Sequence, residues 1–549
     1  MGKEEKPKTQ SLSIRLLKDG WTPEDSLRGD GKLQAWPAVE GGLYEIGSTD
    51  EKTPRWVPLL ELTPAASELA KNKAAFGIGL LQTAGRWFAL TWGLGHTRLK
   101  DDAVEQDFGL KVVLNTVDTD GLRTVDSRTP DDNTMTRRSQ ASRRSDQTAF
   151  ALDPERDIIR GIEGTPRDAS FAARVAGTDA LRLVRSATAS DLPKICAAAL
   201  HAFGQNHYKK SGFEWIDHVR HEREKTIISK LDDKLAEGFQ EALDGYLPET
   251  LHLAFPVVYD PNKPSWIGYV GFRSRSIFPD LDVAGYIEAV TDEGVTAYDV
   301  DFLRKHRARQ VDEHGVQCGE DWTIRACSVF ETELDGSRYL LSCDRWYRID
   351  KSLVDEVEGF FEKAEKVDLP DAVEGEDEEK YNNRIAGTRH DWLCLDRKLE
   401  KAEGATSPIE ICDFLAKDGD LIHIKDKTSS SRLSHLFSQG TVSARTIKID
   451  GTFREKVRTR AAAEQAAVGR AGFEAIVPAG TEDVEPNALR VIYGVLTTSA
   501  VPRLPFFSLL TFRQAARELR GLGYRCAFGW IKKPVAHAKA RKPQEKKAA

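Results

Sequence analysis

Apolar residues recur at every second position in some stretches of this chain and at i, i+3, i+4 in others, with Gly, Pro and Asp clusters between them. The early part keeps the period of two. Ser11–Leu17 alternates, and Leu43–Ile46, Trp56–Leu62, Phe76–Gln82 and Trp87–Trp92 are strand-like between turn residues. Residues 105–118 read as a helix or turn leading into a strand, and short alternating segments fill 150–185. Residues 134–145 (TMTRRSQASRRS) have no apolar period and read as a solvated loop or a phosphate-contacting arm. The helical period then enters, with a helix over Asp191–Phe203 and a helix-rich stretch over Phe213–Asp244. Strands are expected at Leu251–Val258, Trp266–Phe272, Ala326–Phe330, Tyr339–Ser342 and Trp346–Ile349, and an amphipathic helix over Ser352–Lys366.

The last third has the clearest pattern. Residues 378–386 read as a short helix and Trp392–Leu395 as a strand. Ile409–Leu415 is a second strand, closed by the Lys417-Asp418-Gly419-Asp420 turn, and Leu421–Lys425 is a third. Alternation on the third puts Leu421, His423 and Lys425 on one face and Ile422 and Ile424 on the other. Ser429–Ser431 supply capping oxygens for a helix with a Leu433, Leu436, Phe437 stripe, which Gly440 ends or bends. After a basic connection come a strand at Leu489–Thr497, a helix at Phe512–Leu519 and a strand at Tyr524–Ile531. The order is α-β-β-β-α-β-α-β. The fold expected is mixed α/β and multidomain. A β-rich N-terminal domain covers 1–185, a mixed middle domain 186–367, and an acidic linker 368–380. A C-terminal α/β domain covers 381–533 and a disordered basic tail 534–549.

Composition narrows the class. A chain of 549 residues exceeds one core, and 40% hydrophobic with 30% charged residues is soluble and globular. The net charge of −7 excludes a uniformly basic coat, so a nucleic-acid site must be a local patch. Seven scattered cysteines without a C-x-x-C pair read as reduced thiols of a cytoplasmic protein, with no structural zinc. No apolar run is long enough for a membrane. P-loop, G-x-S-x-G, H-E-x-x-H and dinucleotide fingerprints are missing, which removes NTPase, serine hydrolase, metalloprotease and dehydrogenase readings.

Candidate chemistry gathers on the second and third strands. Carboxylates on one strand and a Lys on its neighbour can hold Mg²⁺ or Mn²⁺ and meet a scissile phosphate. Asp413 is the principal expected ligand, with Glu410 or Asp396 auxiliary. Strand parity keeps Glu410 and Asp413 on opposite faces unless a bulge intervenes. Lys425 is expected to act on water or phosphate, with His423 beside it as a third catalytic candidate. Residues 425–460 hold nine Lys or Arg against three acids, a local charge of +6. Arg432, His435, Gln439, Arg454, Lys456 and Arg458 there, with Arg137, Arg138, Arg143 and Arg144, are the candidate nucleic-acid contacts.

The segments WFALTWGLGH (87–96), DFGLKVVLN (107–115), HIKDK (423–427), SHLFSQGTVSA (434–444) and LPFFSLLTF (504–512) resemble the landmarks of a sporadically distributed bacterial family of unknown function. That resemblance implies a gene of mobile or phage-defence loci. The C-terminal order separately resembles the α-β-β-β-α-β core of restriction-endonuclease-like nucleases. Their usual Glu-x-Lys is His423-Ile424-Lys425 here, and histidine suits softer cations than Mg²⁺. The function expected is a metal-dependent nuclease acting on DNA in phage defence. The alternatives are a non-catalytic nucleic-acid-binding or sensor protein, or an interaction scaffold. The partner expected is nucleic acid, DNA first, with no membrane and with homo-oligomerisation open.

Overall fold

The computed structural model describes residues 9–29, 32–53, 57, 71–130, 134–145, 147–210, 212–257, 266–273, 276–404, 407–426, 433–499 and 502–534. The strand expected at Trp56–Leu62, apart from Val57, lies outside these residues, as do the Ser429–Ser431 cap, Arg432 and the basic tail beyond 534. No helix among the described residues is long and apolar enough to cross a membrane. The protein is mixed α/β with several sheets and divides into two compact units. Met1–Thr129 with Thr136–Asp217 is the first, and Pro130–Met135 with His218–Ala549 is the second.

The first unit is built on a ten-stranded sheet. Its opening strand, Thr9–Leu16, alternates as read and pairs antiparallel with Leu181–Ser186 and Arg86–Gly93. Leu12, Leu90 and Leu183 belong to a core shared with the helices Phe108–Thr116 and Leu192–Phe203. Ile78, Leu80 and Ala89 pack a smaller core with Leu17, Leu27, Leu99 and Val104. The stretch read as a loop is an edge strand, Met135–Ser145. Apolar alternation cannot mark it, because charged residues are what an edge strand carries.

In the second unit, a five-stranded and a four-stranded sheet share one core with the helices Lys225–Leu243 and Val283–Asp292. The remainder forms a six-stranded sheet. Its elements are α1 (Lys351–Lys363), β1 (Glu365–Lys366), α2 (Glu378–Thr388), β2 (Trp392–Cys394), β3 (Phe414–Ala416), β4 (Asp420–Asp426), α3 (Leu433–Ile449), α4 (Gly451–Ala467), β5 (Arg490–Thr497), α5 (Phe506–Gly521) and β6 (Arg525–Lys532). The strand order is β1-β6-β5-β4-β3-β2. β2, β3 and β4 form an antiparallel meander, whereas β4, β5, β6 and β1 run parallel. Parallel neighbours need crossovers, supplied by α3–α4 and by α5.

Gly419 at φ 89° makes the β3–β4 turn. Ile422 and Ile424 share a core with Tyr381 and Ile385 of α2, so α2 covers one face of the sheet. On the other face Tyr493 meets Phe437 of α3 and Phe512 of α5 edge-on, with ring centroids at 5.1 and 6.2 Å.

Three features differ from the pattern read along the chain. Gly440 does not end α3, which continues to Ile449. A Cβ there would lie 2.5 Å from Tyr493 Cε1, so the glycine serves close packing against β5. The basic connection contains α4, capped by Asp450 through the Phe453 N–H at 2.9 Å. The acidic stretch lies against the sheet: Leu369 and Ala372 join the α2 core, and the Ala372 N–H donates to the Lys532 carbonyl at 2.9 Å.

Candidate functional site

Three carboxylates converge at one corner of the six-stranded sheet. Asp396, Glu410 and Asp413 each bring an oxygen within 4.8 Å of the others. The parity conflict disappears because Ile409–Leu415 is not one strand. Ile409–Glu410 pairs with Leu399–Glu400 in a two-residue ribbon, and the chain is re-aimed through Ile411 and Cys412 before β3 begins at Phe414. Glu410 and Asp413 therefore point to a common place.

Each of these two side chains is held by donors. Asp413 is 5% exposed; its Oδ2 accepts the Ile424 N–H at 2.7 Å and its Oδ1 accepts Asn382 Nδ2 at 3.1 Å. Glu410 accepts the Arg397 N–H at 3.0 Å and Gln439 Nε2 at 2.8 Å. The β3–β4 ladder continues through this point, since the Asp413 N–H donates to the Ile422 carbonyl at 2.9 Å. Burial lifts the Asp413 carboxyl well above the usual range, and repulsion from Glu410 and Asp396 adds to this against the pull of the Ile424 N–H and Lys425.

Lys425 stands near the C-terminal end of β4. Its Nζ lies 2.7 Å from Glu378 Oε1, and Glu378 Oε2 also accepts the Asp426 N–H at 3.3 Å. Burial pulls the Lys425 pKa down, but the hydrogen bond and charge of Glu378, with Asp413 and Glu410 nearby, leave it raised overall. Lys425 is thus a fixed ammonium rather than a free base at neutral pH.

His423 is not brought into this group. It is 2% exposed, its ring lies 6.3 Å from the Tyr493 ring, and its Nε2 has no hydrogen-bond partner among the described residues. Burial lowers its pKa to about 3, so it is neutral. Cys394 and Cys412, beside the carboxylates, are held as thiols by burial, which raises both pKa values. The donor set is therefore all carboxylate oxygen, which fits a hard divalent cation such as Mg²⁺ or Mn²⁺.

The basic candidates are distributed differently. Gln439 on α3 reaches the corner through Glu410, and His435 on the same helix is exposed. Arg454 is 5% exposed and donates to the carbonyls of Ile447, Lys448, Ala479, Gly480 and Glu482. Lys456 donates to the Lys401 carbonyl at 2.7 Å and Arg458 to the Val477 carbonyl at 2.6 Å. In the first unit, Arg137 grips buried Asp157 and Arg138 grips Asp126, each through two contacts of 2.7–2.8 Å. Arg144 lies 3.9 Å from Asp120, and Arg143 is exposed.

Sequence reasoning missed Glu378 and Asn382. Glu378 sits in an acidic run that reads as solvated surface, and Asn382 has no motif around it. The available signal was the Asp377 N-cap, confirmed by the Lys380 N–H at 2.9 Å, which sets Glu378 in the first turn of α2 and Asn382 one turn later. No curated protein and no solved structure matches the chain. A family model described as a family of unknown function (DUF6119) matches residues 12–532. Since that match spans nearly the whole sequence, from the first strand of the ten-stranded sheet to the last of the six-stranded one, the chain belongs to the family DUF6119.

Proposed function

We propose that the corner of the six-stranded sheet binds Mg²⁺ or Mn²⁺ and cleaves phosphodiester bonds of DNA. The observation that carries this reading is the convergence of Asp396, Glu410 and Asp413 within 4.8 Å, next to the charged Lys425. The element order is in keeping with it: α2, the β2–β3–β4 meander, a crossover and a strand parallel to β4 come in the order expected of a restriction-endonuclease-like core. The His423 departure from Glu-x-Lys is met by a different supply of carboxylates, from Asp396 and the Glu410 ribbon. A cation bound there supplies Lewis acidity to a phosphate oxygen and acidifies its own water. Asp413 and Glu410 are orientated for it by backbone and side-chain donors. Lys425, kept charged by Glu378, offsets charge developing on the phosphate.

The test is cleavage of supercoiled plasmid by the full chain in Mg²⁺ or Mn²⁺. Activity that is lost in Asp413→Ala and Lys425→Ala supports the reading, and activity unchanged in both overturns it. A second reading, a nucleic-acid sensor without chemistry, is favoured by one contact: the Lys425 ammonium is already engaged by Glu378 at 2.7 Å. That reading predicts salt-sensitive DNA binding and no turnover with either cation.

A further inference from the structure

Helix α2 reaches the corner twice from one face. Glu378 binds Lys425, and Asn382, four residues on, binds Asp413. Positions i and i+4 are stacked on a helix surface, so one rigid element grips both the candidate cation ligand and the candidate ammonium. That element is well fixed. Tyr381 and Ile385 beside these two positions are core residues, the Tyr381 hydroxyl donates to the Pro370 carbonyl at 2.8 Å, and Arg384 clasps Glu376.

Asn382 is costly where it stands. It is 1% exposed, its Nδ2 donates to Asp413, and its Oδ1 is buried without a hydrogen-bond partner among the described residues. An apolar residue there would remove the orphaned Oδ1 but would also take the Nδ2 donor from buried Asp413 Oδ1, so what the amide does at this position is hold Asp413. Glu378 has a comparable effect on charge. Lys425 interacts electrostatically with both Asp413 and Glu410, and an untethered ammonium in that position competes with a cation for the same carboxylates. The carboxylate of Glu378, 20% exposed against 17% for Lys425, draws the ammonium toward α2.

We infer that Glu378 and Asn382 are paired positioning residues that reserve the carboxylates for a divalent cation, Asn382 by fixing the plane of Asp413 and Glu378 by holding the Lys425 ammonium off the cluster. This rests on the cation-binding part of the function proposed above, and not on DNA cleavage.

The experiment is Mn²⁺ titration of the full chain after EDTA stripping, with free Mn²⁺ read by electron paramagnetic resonance and folding checked by thermal melting. The site in question is the one that Asp413→Asn removes. Asn382→Leu is expected to weaken that site about 10- to 100-fold, the usual cost of losing a group that orients a ligand, while the chain still melts cooperatively. Asn382→Ser is the second variant should Leu disturb folding. Glu378→Gln is expected to weaken Mn²⁺ about tenfold, and Glu378→Gln with Lys425→Met is expected to restore it, a rescue that a merely structural salt bridge does not give. Parent-like Mn²⁺ affinity in both Asn382 variants, or an unrescued double variant, overturns the inference while leaving the cation site standing. A parent chain whose Mn²⁺ binding is indifferent to Asp413→Asn overturns the cation reading itself, and the inference with it.

Discussion

The carboxylate corner and helix α4 are both dense in charge, yet they use it in opposite ways. On α4, Arg454, Lys456 and Arg458 spend their donors on backbone carbonyls, five of them for Arg454 alone. At the corner, like charges are pressed together and only partly compensated, so that Asp413 resists ionisation. A run of basic residues in the sequence thus became internal cross-linking, whereas three acids scattered over 396–413 became one concentrated locus. Strained electrostatics picks out a candidate site better than charge density does.

The sharpest way to break this contrast is Asp413→Asn. Loss of one of three carboxylates is expected to lower Mn²⁺ affinity by roughly a thousandfold, about 4 kcal/mol. The same substitution is expected to raise the cation-free melting temperature above neutral pH. The Asp413 carboxyl titrates above its unfolded value of 3.8, so the native state holds a proton that the unfolded chain has released. Its contribution is full below 3.8 and declines as pH rises toward the raised native value. Asn has no such dependence. Melting in EDTA across that range checks it, and a variant less stable than the parent at every pH contradicts it.

Arg454→Met probes the other side of the comparison. Removing a buried guanidinium strands five carbonyls, so a loss of about 3 kcal/mol in denaturant unfolding is expected. Mn²⁺ affinity should stay within about twofold of the parent, since distant sites are additive. A large loss of Mn²⁺ binding at unchanged stability would merge the two regions into one site.

His423 sits between the two cases: it is on the strand that carries Lys425 but is buried as a neutral ring. A histidine whose pKa is depressed from 6.5 to about 3 stabilises the fold above 6.5 and loses that contribution as pH falls toward 3. The loss is about 2 kcal/mol between pH 6.5 and 5, because each unit below the unfolded pKa is worth about 1.4 kcal/mol. His423→Phe, beside Tyr493, is expected to flatten this acid sensitivity while leaving Mn²⁺ binding intact. Weakened Mn²⁺ binding in that variant would return His423 to the site.

Much of this architecture is legible because local rules agree. The β2–β3–β4 meander follows from short apolar runs and the Asp418-Gly419 turn, and the strongly apolar β5 and the closing β6 read as strands that the structure pairs in parallel. Asp413 and Lys425 are legible as candidates for the same reason: β3, which Asp413 immediately precedes, and β4 are. What escaped has long-range causes. The break between Glu410 and Phe414 is set by pairing with Leu399–Glu400, eleven residues and a ribbon away at the Leu399–Glu410 pair, and no local pattern announces it. Gly440 reads as a stop until Tyr493 is known to lie against it. Helix α4 was masked by its charges, although Ala461–Ala463 and the absence of Gly or Pro from 452 to 467 favour it. Glu378 and Asn382 acquire meaning only from what lies across the sheet face.

The smallest effect expected is the one that decides whether α4 contributes to a nucleic-acid surface. Lys456 and Arg458 each give one hydrogen bond to a loop carbonyl from a partly exposed side chain. Such bonds are worth about 0.5–1 kcal/mol net, and less where solvent competes, so Lys456→Ala should shift unfolding by no more than about 0.5 kcal/mol. The informative quantity is the salt dependence of DNA binding. A lysine that neutralises a phosphate contributes roughly one unit to the slope of log K against log salt, whereas a lysine tied to the Lys401 carbonyl contributes none. An unchanged slope in Lys456→Ala keeps α4 as internal scaffolding. A slope reduced by about one unit would mean that this ammonium leaves its carbonyl for the backbone of DNA, and the division between a scaffold that spends its charge and a corner that stores it would fail at that residue.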